Sequence, residues 1–207
     1  LYLEDLSDLI QECVDPHFGF SRYAERLGRS AGQFDDLYEA LQQDYTYIDQ
    51  LLIDILEARM AGIQPALVAI SVPFPGNLYA AFRCAQWVKK HCPGVKTAMG
   101  GGFANTELRS LSEPRVFEFF DFITLDDGEA PIEHLVEHVA GKRPVELLKR
   151  TFALIDGKVT VAAVGEALSD AVASAQKAAK AEGREIKVPL MAPGTSGISA
   201  GPIRSPL

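Results

Sequence analysis

Two hydrophobic periods succeed one another along the chain. In the first 60 residues apolar positions recur every three to four residues, the spacing of one helix face. "LYLEDLSDLIQECV" carries Leu3, Leu6, Leu9 and Ile10 in this way, with a short strand as the competing reading. "FDDLYEALQQDYTYIDQLLIDILEARMAG" continues the pattern, with Ile48, Leu51, Leu52, Ile55 and Leu56 expected on one side and Gly62 as the stop.

From residue 66 the texture changes. "ALVAISV" (66–72) is a short apolar run between Pro65 and Pro73 and reads as a buried strand. "NLYAAFRCAQWVKKH" (77–91) reads as a helix, with Asn77 as candidate N-cap and Leu78, Ala81, Phe82, Ala85 and Val88 facing inward. "PGVKTAMGG" is a turn and second strand, and "FDFITL" (120–125) a third. "PIEHLVEHVAG" (131–141) is a helix with Pro131 at its first position and Gly141 as its stop. Strand–helix units of this length predict parallel strands with right-handed crossovers. Three distinctive loops, "SVPFPGN", "GGGFANT" and "LDDGE", then all follow strand C-termini, the edge where open parallel sheets bind ligands. "TFALIDGKVTVAAV" predicts a hairpin turning at Asp156–Gly157. Beyond it come an Ala/Lys-rich exposed helix and a tail rich in Pro, Gly and Ser. The expected divisions are a helical segment over 1–62, an α/β core over 63–150, and a hairpin, helix and tail over 151–207.

Composition narrows the function classes. Of 207 residues 47% are apolar, enough for a substantial core, and no run of about 18 apolar residues predicts a membrane span. The acidic start does not read as a signal peptide, and a chain opening on Leu reads as a trimmed piece. Net charge is −8, and residues 1–60 hold thirteen acids against four Lys and Arg. No basic stripe offsets this, so nucleic-acid binding is not expected. The acids suit a solvated helical surface or an interface with a basic partner. Cys13, Cys84 and Cys92 form neither a disulfide framework nor a zinc pattern, and the expected compartment is a reducing cytoplasm.

The loops carry the candidate chemistry. Gly100, Gly101 and Gly102 remove side chains where backbone must approach either a ligand or a tight strand-to-helix turn. They form neither a dinucleotide fingerprint nor a P-loop. In the first loop Ser71 and Asn77 offer hydrogen bonds, Pro73 and Pro75 stiffen the chain, and Phe74 either stacks on a planar ligand or enters the core. Asp126 and Asp127 before Gly128 suit the polar edge of a ligand or a solvated turn. His134 and His138 share the zinc-chelating i, i+4 spacing, but lie opposite the apolar positions Ile132, Leu135, Val136 and Val139, so a solvated face is expected.

"ISVPFPGN…MGGGFANTELR…FFDFITLDDGEAP" resembles the cobalamin-binding N-terminal domain of cobalamin-dependent radical S-adenosylmethionine proteins, over roughly residues 1–155. The resemblance implies a Rossmann-like α/β fold, an open parallel sheet flanked by helices, with a corrinoid across the strand C-termini and its nucleotide tail between sheet and helix. It implies a cofactor site at Ser71, Val72, Pro73, Phe74, Pro75, Gly76, Asn77, Gly100, Gly101, Gly102, Phe103, Asp127, Gly128 and Glu129. Ser71 matches a serine expected near the lower-ligand base. "DDGE" replaces the first glycine of a G-E-G-E-like loop. Relatives also begin with a strand and loop that would precede Leu1. They add a catalytic domain that uses S-adenosylmethionine and a [4Fe–4S] cluster held by C-x-x-x-C-x-x-C, a motif this sequence does not contain. The chain alone is therefore expected to bind cobalamin, not to perform radical chemistry, with the catalytic domain as its partner in cis. "DPHFG" (15–19) is one residue short of the D-x-H-x-x-G motif whose histidine coordinates cobalt, and reads as a turn. Two other classes remain: an α/β module for another planar or nucleotide ligand, and a protein–protein adaptor docking through its acidic helices.

Overall fold

A computed structural model describes residues 2–20, 24, 27, 34–126 and 128–162. Residues 1–163 form one unit; the expected Ala/Lys-rich helix and the tail lie outside the described residues.

Helices α1 (Tyr2–Cys13), α2 (Phe34–Gln42) and α3 (Tyr47–Met60) precede the sheet. Strand β1 (Leu67–Ser71) leads through a short 3-10 turn, Pro75–Asn77, into helix α4 (Leu78–His91). Strand β2 (Lys96–Gly100), helix α5 (Gly102–Glu107), strand β3 (Phe122–Thr124) and helix α6 (Glu129–Val139) follow, and strands β4 (Thr151–Ile155) and β5 (Lys158–Ala162) close the described chain. The sheet order is β1-β2-β3-β4-β5. β1, β2 and β3 are parallel; β4 and β5 are antiparallel additions at the far edge. This is a Rossmann-like α/β fold. The expected hairpin forms on positive φ at Asp156 (50°) and Gly157 (74°), the primed-turn conformation that matches strand twist.

The two faces of the sheet are covered unequally. Val72, Met99, Ile123 and Phe152 pack beneath α4, with Leu78, Phe82, Ala85, Phe119 and Phe120. All five inward positions expected for α4 are buried. On the opposite face Ala98, Phe122 and Ala153 meet Leu135 of α6 and Leu148. That smaller cluster leaves β1 uncovered, with Ala69 and Ser71 exposed. β1 is therefore an edge strand and not the buried strand expected. An apolar run bounded by prolines reads alike in both places, because strand order decides coverage.

The helical segment is tied on by one buried ion pair. Arg83 of α4 and Asp49 of α3 are 1% and 0% exposed, with Nε 3.0 Å from Oδ2. Arg83 Nε also donates to Tyr79 Oη at 2.8 Å. Its terminal nitrogens donate to the carbonyls of Ala40, Leu41 and Gln43, at the C-terminus of α2, and to Gln86 Oε1. These bonds satisfy carbonyls that the end of α2 leaves without intrahelical donors. Asp49 additionally closes a capping box with Thr46 at the start of α3. Burying Asp49 and Ile53 rotates α3 from the expected face, so Tyr47, Leu51 and Ile55 point outward. Burial, with the hydrogen bond to Asp49, pushes the Tyr79 hydroxyl well above its ordinary pKa.

Other local expectations shift. Asn77 makes no side-chain cap, since the 3-10 turn already opens α4. α6 begins two residues earlier than expected, at Glu129 instead of Pro131, and Gly141 follows its end with φ 71°. His138 is not on a solvated face: its ring packs edge-on against Phe122, and Nδ1 lies 2.7 Å from the carbonyl of Arg143. His134 is also partly buried, its Nδ1 having no hydrogen-bond partner. Among the described residues no three His, Cys, Asp or Glu side chains converge as a metal site, and no helix is long and apolar enough to cross a membrane.

Asp121 anchors the start of β3. It accepts from Lys89 Nζ at 2.6 Å, the Thr97 N–H at 2.8 Å and Thr97 Oγ1 at 3.1 Å, with Lys96 nearby. Burial pushes its pKa up, but these donors and the two lysines outweigh burial and hold it below the carboxylate range.

Two outcomes follow. Arg83→Met strands Asp49 and the carbonyls of α2, and should cost about 3–5 kcal/mol in denaturant unfolding. Asp121→Asn should cost about 2 kcal/mol at neutral pH. A depressed carboxylate contributes above its unfolded pKa and loses that contribution as pH falls through its folded pKa. The difference between wild type and variant should therefore shrink below about pH 4 and vanish at more acid pH.

Candidate functional site

The uncovered face of β1 is the floor of a groove at the C-terminal edge of the parallel strands. The groove encloses about 280 Å³ and is lined by Ala69, Ser71, Ala98, Gly100, Thr124 and Ile132, with Gly101, Asp126 and Gly128 at its end. The floor is low because its side chains are small. One wall is the N-terminal half of α6, where Ile132 is exposed. The three loops singled out by sequence meet at this end, each directly after its strand.

The glycines have a packing reason apart from any ligand. A Cβ on Gly100 would collide with the Thr124 hydroxyl. On Gly101, whose φ is 101°, it would lie 2.8 Å from the Val72 carbonyl oxygen and 2.9 Å from its nitrogen. On Gly102 it would lie 2.9 Å from the Pro73 carbonyl oxygen. The first loop crosses so closely over the second that only glycine fits. Backbone bonds seal the crossing: the Val72 N–H donates to Gly100 O at 2.8 Å, and the Phe103 N–H donates to Val72 O at 3.0 Å.

This crossing separates the expected site residues. Ser71, Gly100, Gly101 and Gly128 line the groove. Val72 and Phe103 are buried in the opposite core beneath α4. Phe103 there borders an apolar cavity of about 60 Å³ with Phe34, Phe82, Met99 and Val116. Pro73, Phe74 and Asn77 are exposed and Pro75 and Gly76 partly buried on the outer side of the loop, with Phe74 59% exposed and outside the core. Gly102 is exposed at the start of α5, and Glu129 is exposed at the start of α6. Asp127 lies outside the described residues. His17 sits in a turn after α1, its ring centroid 6.0 Å from that of Tyr79 on α4. It therefore belongs with the helical side of the sheet and not with the groove.

Residues without an assigned role in the sequence reading hold the third loop. Asn105 of α5 grips the backbone of Asp126 twice: its Nδ2 donates to Asp126 O at 2.9 Å, and its Oδ1 accepts from the Asp126 N–H. This clamp holds Asp126 at φ 63°, a conformation Asp tolerates better than most residues. The Asp126 carboxylate, 23% exposed, pairs with Arg109 Nη2 at 3.1 Å and with Arg150 Nη1. Arg109 Nε donates to the Asn105 carbonyl at 2.6 Å. "FANTELR" and "LDDGE" are thus two halves of one hydrogen-bonded unit. Their polar side chains in two post-strand loops were the available signal.

Neighbouring glycines should respond differently. Gly101→Ala adds a clash to a left-handed φ and should destabilise by about 2–4 kcal/mol. Gly128, φ 82°, has nothing within 4 Å of the added Cβ; Gly128→Ala should cost about 1 kcal/mol. Thermal unfolding of the two variants provides the comparison.

Comparison with protein-family models, curated proteins and solved structures finds no match to this chain.

Proposed function

We propose that this chain is a cobalamin-binding module that holds a corrinoid at the C-terminal edge of its parallel strands. The observation that carries the reading is the groove itself. It lies on the uncovered face of β1, between sheet and helix, where the three resembling loops converge.

The groove fits part of a corrinoid. Sites that enclose drug-sized ligands usually span about 300–1,000 Å³, so 280 Å³ suits a nucleotide tail and not the whole macrocycle. The small side chains of Ala69, Ala98 and Gly100 admit a flat group against the sheet, and Ile132 offers it an apolar wall. Ser71, at the end of β1, offers a hydroxyl to a ring nitrogen. The ring would then lie over the loop ends, beside exposed Phe74 and Pro73. When bound, the corrinoid supplies methyl-transfer or radical-assisting chemistry at cobalt; the protein binds, orients and shields it. A radical S-adenosylmethionine domain in cis, with its own [4Fe–4S] cluster, would be the catalytic partner.

Purified protein mixed with methylcobalamin in dim light should stay red through desalting, with near-stoichiometric corrinoid in the protein fraction. Colourless protein refutes the reading. Ala69→Phe fills the floor at an exposed position and should lower retention at least tenfold with an unchanged melting temperature. Unchanged retention would move the ligand elsewhere. Retention of a nucleotide in place of the corrinoid would favour the other planar-ligand reading.

A further inference from the structure

We propose that the outward face of α3 docks a basic amphipathic helix of a partner protein. The inference does not depend on the groove, which lies on the other face of the sheet.

Helix α3 is apolar on two sides. Inward, Ile53, Leu56 and Met60 pack with Trp87 and Val88 of α4. Outward, Tyr47, Leu51 and Ile55 stand at i, i+4 and i+8 and are 63%, 43% and 62% exposed. Residues at this spacing follow one another along one helix face. They form a continuous stripe, which half-buried Ile48 and Leu52 widen. A surface helix ordinarily carries one such stripe, and a helix apolar around most of its circumference is covered on both sides. The buried pair of Asp49 with Arg83 fixes the inner side of α3. The outer stripe therefore stands on a fixed support and cannot turn inward.

Charge selects what covers it. Gln50, Asp54 and Glu57, all exposed, border the stripe along one side at the same helical spacing. Gln50 Nε2 donates to Asp54 Oδ1 at 2.7 Å, and among the described residues no cation pairs with Asp54 or Glu57. A helix laid on the stripe, with apolar anchors inward and Lys or Arg along the facing edge, meets both demands. The buried anchors supply the affinity, and the border charges set orientation and encounter rate. A second copy of this chain fits less well. Residues 1–60 hold thirteen acids against four Lys and Arg, and antiparallel pairing of two α3 helices sets each acidic border against its counterpart.

The probe is a fluorescent peptide of leucine and lysine, about 18 residues long, with leucines at i, i+3, i+4 and i+7 so that it can fold when docked. Its control has the same composition in an order that gives no apolar face. Fluorescence anisotropy with the full chain should give micromolar affinity for the patterned peptide and about tenfold weaker binding of the control. The double variant Leu51→Ser, Ile55→Ser should bind the patterned peptide about tenfold less tightly, with an unchanged melting temperature because both side chains already face water. Asp54→Asn with Glu57→Gln should lower the affinity about threefold and flatten its salt dependence. Equal binding of the two peptides, or equal binding by wild type and the Leu51→Ser, Ile55→Ser chain, overturns the docking face. So does a wild type that sediments as a dimer and becomes monomeric in that double variant, since a second copy is then the cover. Corrinoid retention is measured without the peptide, so failure of either reading leaves the other standing.

Discussion

A guanidinium placed in an apolar interior must find an anion and an acceptor for every remaining N–H group. Arg83 meets both demands from three helices at once: Asp49 on α3, the terminal carbonyls of α2, and Tyr79 and Gln86 on its own helix. Because α4 also covers one face of the sheet, this single side chain joins the acidic N-terminal helices to the α/β core. It sets the rotation of α3, which is why Leu51 and Ile55 face outward. It also steadies the helix that opens immediately after the first loop of the groove, while the groove itself stays free of those helices on the opposite face.

The groove end is built by mutual exclusion and mutual grip. Glycines let the backbone of the first loop cross the second at contact distance, and Asn105 then holds the third by its main chain. Three loops that begin on different strands therefore behave as one unit. Such preorganisation lowers the ordering cost of any ligand that settles among them.

Much of this was legible in the sequence, and the failures have physical causes. The strand and helix segments, the hairpin turn and the convergence of three post-strand loops follow from periodicity and from Gly and Pro positions. Asp49 was not legible, since a buried acid in an amphipathic helix looks solvated until its partner, 34 residues on, is known. Three glycines in a row announced close approach, but not whether a ligand or a neighbouring carbonyl does the approaching. The resemblance places Val72 and Phe103 among the site residues, whereas strand alternation and the turn into α5 send both to the other face. Arg150 lies far from the other loops in sequence and reaches them only because β4 pairs antiparallel beside β3.

The strand that floors the groove is also one of the sheet's two edge strands, braced on one side by β2 and, among the described residues, by no strand on the other. Its amides should therefore open at less cost than those of the central strands β2 and β3. Anything bound along Ala69 and Ser71 adds the missing cover. Occupancy of the groove and slow hydrogen exchange along 67–71 are, by linkage, two readings of one equilibrium.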